Sequence, residues 1–261
     1  MKRTLSYLSL ALLSACGGGT TGKVITLHTK LKTDLVADRS FGTDDGWTVT
    51  LSKAQIATGA LYYYDGAPAF TAVKPSLWHQ FLENFEPIHA AYAHPGHYQA
   101  GDALGEVLEP FSADLLSGAA VDLPDGDGIS GAFRSGTFSF AAPTAGPAAA
   151  ELMGHIAWIE GQAQKESKTV YFRATLDLAD LERTAAQGAI SGCRFTPAEV
   201  SDDGTVTITV RPKIWFDLVD FAPLPEGSPE APTPLPEDST ARIALALGLG
   251  QLSAYSMEYA R

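Results

Sequence analysis

The sequence predicts an all-β chain: an antiparallel β-sandwich or jelly-roll type with short helices in its connections. Two observations carry that prediction. Apolar and polar residues alternate with a period of two through several segments, and clusters of Gly, Asp and Pro separate those segments. Successive side chains of a strand point to opposite faces. Alternation therefore sets one apolar face on a core and one polar face in water.

Taken in chain order, Val24 to Leu31 is the first strand candidate. Trp47, Val49 and Leu51 then alternate with Thr48, Thr50 and Ser52, and Ala60 to Tyr64 follows. Thr137 to Phe140 is short. Val170, Phe172, Ala174, Leu176 and Leu178 alternate with Tyr171, Arg173, Thr175 and Asp177, which predicts a strand over Lys168 to Leu178. Val206, Ile208 and Val210 alternate with Thr205, Thr207 and Thr209, and Ile214 to Val219 is a further apolar run. Asp44-Asp45-Gly46, Asp65-Gly66 and Asp202-Asp203-Gly204 supply turn chemistry between them. Helices are expected over Ser76 to Phe85 and over Ala148 to Gln164, the second preceded by Pro147. Residues 222–236 hold six prolines and form an extended loop, because proline removes the backbone donor that a central strand needs. Beyond it, Ile243 to Leu247 and Ala254 to Tyr259 are structured again, so the end of the chain is expected to close the same domain.

The N-terminus carries a different signal. Met1-Lys2-Arg3 is basic, and Leu5 to Leu13 is mostly apolar but too short to span a bilayer, which takes about 20 residues. Leu13-Ser14-Ala15-Cys16 follows and resembles the lipobox of bacterial lipoproteins. The resemblance implies a signal peptide over residues 1–15, cleavage before Cys16, and acylation of that cysteine. Residues 16–22 then form the lipidated cysteine and a flexible Gly/Thr tether. Residues 23–261 form a single β-rich extracytoplasmic domain that includes the Pro-rich loop. The residue after Cys16 is Gly, not Asp, which in family terms implies an outer-membrane address.

Charge narrows the partners. Two of the 18 Lys and Arg and none of the 30 Asp and Glu lie in residues 1–15, so removal of the signal leaves a net charge of −14. That balance argues against nucleic acid and against electrostatic adhesion to anionic lipid, and it favours cations. Cys193 is the only other cysteine, so no disulfide within the chain is expected and stability rests on an apolar core.

One constellation could carry chemistry. His89, His94 and His97 fall within nine residues, with Pro95-Gly96 as a bend between the last two. Neutral imidazoles bind copper and zinc, and a turn can aim two of them at one point. Asp102 and Glu106 lie just downstream as carboxylates that could ligate the ion or orient a ring. Histidines in loops also hydrogen-bond carbonyls and hold turns without any metal. His28 could approach from the first strand, whereas His79 and His155 sit near Trp78 and Trp158 and are expected to pack.

The remaining motifs are weaker. Cys193 is expected to be buried and inert. Asp122-Leu-Pro-Asp125-Gly-Asp127-Gly128 spaces its carboxylates like a calcium loop but lacks the distal Glu, and an acidic surface turn accounts for it better. Gly128-Ile-Ser130-Gly131 falls one residue short of a nucleophile elbow. Tyr62-Tyr63-Tyr64 and Trp215-Phe216 are expected mostly in the core. The expectation is a non-enzymatic lipoprotein that handles copper or zinc through the histidines. The alternative is a non-metal structural or interaction module that displays a surface to a protein partner or a glycan. A hydrolase built on a histidine-bound metal ranks last, since Glu106 is its only nearby base.

Overall fold

A computed structural model describes residues 22–35, 37–69, 98–184 and 188–261. Cys16, His79, His89, His94, His97 and the expected helix Ser76 to Phe85 lie outside them.

The chain is mostly β. Its first strands are β1 (Val24–Thr33), β2 (Ser40–Gly42), β3 (Thr48–Thr58), β4 (Leu61–Tyr64) and β5 (Ala103–Val107). Next come β6 (Phe111–Asp114), β7 (Val121–Asp122), β8 (Gly126–Ile129), β9 (Gly131–Ser139) and β10 (Ala157–Lys165). The last five are β11 (Lys168–Leu176), β12 (Ala189–Val200), β13 (Gly204–Val210), β14 (Thr233–Pro234) and β15 (Tyr255–Ala260). Among the described residues, four short α-helices join them: α1 (Ala149–Leu152), α2 (Leu178–Glu182), α3 (Pro212–Phe216) and α4 (Thr240–Leu249).

The sandwich or jelly-roll expectation is met only in part. Strands β13-β15-β12-β9-β4-β5-β8-β1 form one sheet, and β1 returns to pair with β13, so the sheet closes into an eight-stranded barrel. The closing pair is parallel, with Leu27 to Thr33 in register with Gly204 to Val210. Two further pairs, β12 with β15 and β11 with β14, are also parallel, so the antiparallel rule has exceptions. Alternation reports which face of a strand is buried. It carries no information on which edges meet, and closure satisfies edges that an open sandwich leaves exposed. A second sheet runs β14-β11-β10-β3-β2, with β6 also on β3. The chain passes between the two sheets at Gly59-Ala60, between β3 and β4.

The core follows the alternation. Ile25, Leu27, Thr29 and Leu31 of β1 point inward and are buried. Tyr63, Phe133 and Phe195 interlock as aromatic neighbours 5.6–6.1 Å apart. Glycines make room for them: a Cβ on Gly105 would sit 2.7 Å from a Leu27 methyl and 3.2 Å from the Tyr63 ring. A second aromatic group, Trp47, Phe172, Phe216 and Phe221, is contiguous with the same buried cluster.

Two expected elements differ. The helix over Ala148 to Gln164 stops at Leu152, because Met153 and Gly154 take positive φ of 50° and 97°. Ala157, Ile159, Gly161 and Ala163 then alternate as the buried face of β10. The apolar run Ile214 to Val219 is largely helix α3, opened by Pro212 at its first turn, where a missing N–H costs nothing. The Pro-rich segment is a loop, as expected, but it bends at Phe221–Leu224 and Ser228–Ala231 and adds only the two-residue edge strand β14, beside Phe172 and Arg173.

Helix α4 is docked by a buried ion pair. Arg242 donates to both carboxylate oxygens of Asp180 at 3.0 and 2.8 Å, and the two side chains are 8% and 3% exposed. Arg183 adds a third contact, and Asp180 also accepts from the Asp177 backbone at 2.8 Å in a capping box. Asp177 in turn meets His155 Nδ1 at 2.8 Å, so His155, expected to pack, lies outside the helix and is partly exposed and bonded to a carboxylate.

Candidate functional site

The histidine-bearing stretch connects β4 to β5, and the described residues define both of its ends. Gly66 donates its N–H to Ala100 at 2.9 Å, and Asp65 donates to Asp102 at 3.2 Å. The Asp65 carboxylate accepts the Asp102 N–H at 2.8 Å. Ser135 on β9 donates to the Gly66 carbonyl at 2.7 Å and meets the Tyr98 hydroxyl at 2.7 Å. Ala69 donates to the Gly192 carbonyl at 3.2 Å. Departing and returning legs are thus fastened side by side to one end of the barrel wall.

Asp102 sits at this base, five residues after His97. Its backbone is held on both sides while its side chain is exposed, and among the described residues its carboxylate has no hydrogen-bond or ion-pair partner. Glu106 behaves differently. It lies four residues further along, on β5. Glu106 instead stands opposite Asp127 in the β5–β8 register on the outer wall.

His28 is also on that wall, and its Nδ1 meets Asp125 at 2.8 Å. Asp122 pairs with Lys30 at 3.1 Å. The three aspartates of the calcium-like stretch therefore face different partners. No group of three or more metal-ligating side chains occurs among the described residues.

The other candidates resolve by burial. Tyr63 is fully buried, whereas Tyr62 and Tyr64 point outward, half-buried, their rings stacked 6.4 Å apart. Trp215 and Phe216 are buried. Cys193 is fully buried, its thiol donating to the Ile190 carbonyl at 3.2 Å, and burial pushes its pKa up to about 12. At pH 8 the thiolate fraction is then roughly 10⁻⁴, and the sulfur has no solvent path. Alkylation by iodoacetamide at pH 8 is expected only on unfolding. Rapid labelling of the folded chain in mass spectra would contradict the burial.

Two features escaped sequence reasoning. The Asp180–Arg242 pair joins residues far apart in the chain, and no local motif announces it. A cleft of about 510 Å³ opens beside Pro68, between β12 and the segment that enters β15, and carries Arg194 and Arg211. Two arginines on either side of strand β13, which does not pair with β12, give no spacing signal. The chain matches no protein-family model, no curated protein and no solved structure.

Proposed function

We propose that this chain is a membrane-anchored, extracytoplasmic bacterial lipoprotein that captures copper or zinc through His89, His94 and His97, without catalysing a reaction. The lipobox resemblance at Leu13 to Cys16 supports the anchor and the outer-membrane address. The observation that carries the metal reading is the placement of Asp102. An exposed carboxylate, its backbone clamped to Asp65, stands at the base of the connection that holds the three histidines. A carboxylate beside imidazoles supplies a fourth donor or orients a ring, and such a partner typically changes metal affinity 10–100-fold. The acidic net charge favours a cation at any such point. Glu106 belongs to the outer wall in this reading.

The test is direct. Elemental analysis and calorimetric titration of the purified chain with zinc and copper should show stoichiometric binding. Affinity should fall as pH drops through about 6.5, where free imidazole takes up a proton and ceases to be a ligand. Replacing His94 and His97 together with Ala should abolish binding, and Asp102→Asn should weaken it 10–100-fold. A chain that binds neither ion overturns the metal reading. The second reading is then an interaction module for a protein partner or glycan, favoured by the outward Tyr62–Tyr64 pair on the barrel wall.

A further inference from the structure

Arg194 lies on β12 and is exposed on the outer wall, where its register partner in the parallel pairing with β15 is Ser256. Facing positions in such a pair bring their Cβ atoms to roughly 5 Å. Arg211 reaches the same serine from the other side, donating to Ser256 Oγ at 2.7 Å and to the Ser253 carbonyl at 3.3 Å. Both arginines therefore line one cleft, Arg211 bonded to Ser256 and Arg194 beside that serine in the strand register. The compensation is slight: Asp34 stands 3.9 Å from Arg211, and Arg194 has no acidic partner among the described residues. In a chain with 30 acidic and 18 basic residues, this is a local inversion of sign.

The surface beside the two cations is apolar. Pro68, Pro197 and Leu252 are the accessible apolar residues lining the cleft, whose 510 Å³ lies within the range of about 300–1,000 Å³ typical of small-ligand sites. Like charges held together are costly unless an anion sits between them, and guanidinium forks match a carboxylate in two-point geometry. Cations at one end and an apolar floor at the other specify a ligand with one anionic head and one apolar tail.

We propose that this cleft binds a single-chain amphipathic carboxylate of the fatty-acid type, its head held by Arg194 and Arg211 and its chain laid on Pro68, Pro197 and Leu252. The site is separate from the histidine proposal and does not depend on it. Calorimetry on the mature chain secreted without lipid (Cys16→Ala, detergent-free, pH 7) tests it with decanoate, decanol and acetate. Decanoate should bind at least tenfold more tightly than either of the others. Arg194→Gln should weaken decanoate at least tenfold, and Arg194→Glu should abolish it, with the melting temperature unchanged because Arg194 supports no described contact. Equal binding of decanoate and decanol would reduce the cleft to an apolar groove and overturn the proposal. Equal binding of acetate, full affinity in Arg194→Glu, or no binding of decanoate would overturn it as well.

Discussion

Asp180→Ala is expected to destabilise the fold by about 3–5 kcal/mol, the range for breaking a buried ion pair by removing one partner. The loss is large because Arg242 stays in place, 8% exposed, with its charge uncompensated in the core. The variant also removes the bond from Asp180 to the Asp177 N–H, one half of the capping box of α2, and the Arg183 contact. Deleting both charges together, as Asp180→Leu with Arg242→Met, should recover much of the loss, because neither partner is then left buried alone. The pair has a pH signature. Burial pushes the Asp180 carboxyl up, but hydrogen bonds from Arg242, the Asp177 backbone and Arg183 outweigh it and hold the pKa below the usual range. A carboxyl whose folded pKa is depressed contributes stability above its unfolded value of about 3.9. That contribution is lost as pH falls through the folded value. Denaturant unfolding of the parent should therefore weaken below about pH 4, and this component should vanish in Asp180→Ala. Equal acid sensitivity in the two proteins would place the effect elsewhere.

The second large effect concerns attachment. With residues 1–15 exchanged for an ordinary cleavable secretory signal, Cys16→Ala is expected to move the protein from the membrane fraction to the soluble fraction. Lipid on Cys16 is the proposed anchor, and each buried acyl methylene contributes about 0.8 kcal/mol to the hold. No helix among the described residues is long and apolar enough to cross a membrane. Immunoblots of fractionated cells read the outcome. Membrane retention of the correctly processed variant would assign the anchor to a protein partner instead.

Much of the strand content was legible because a half-buried strand writes its geometry into a local pattern. Val170 to Leu176 and Val206 to Val210 alternate in sequence and alternate in burial. The same logic misled at Ile214 to Val219, where a continuous apolar run carries no period and buried helix and buried strand look alike. It misled again over Ala148 to Gln164, because helix termination rests on the left-handed backbone at Met153 and Gly154. Of the candidate site, the clustering of the histidines with Asp102 was visible as spacing. That Asp102 is clamped to Asp65 at the base of the histidine-bearing connection follows only from the folded backbone.

By itself, then, the sequence determined the mostly β character, the turns at Asp44 to Gly46 and Asp202 to Gly204, and the loop character of the proline-rich segment. Each depends on the conformational preference of a few neighbouring residues. Closure of the barrel through β1 and β13, docking of α4 by Asp180 and Arg242, and the contact of Arg211 with Ser256 were decided by tertiary structure alone. These join residues 45 to 177 positions apart. Such contacts arise from the shared burial of a whole surface, and no short stretch of chain encodes which distant partner completes it.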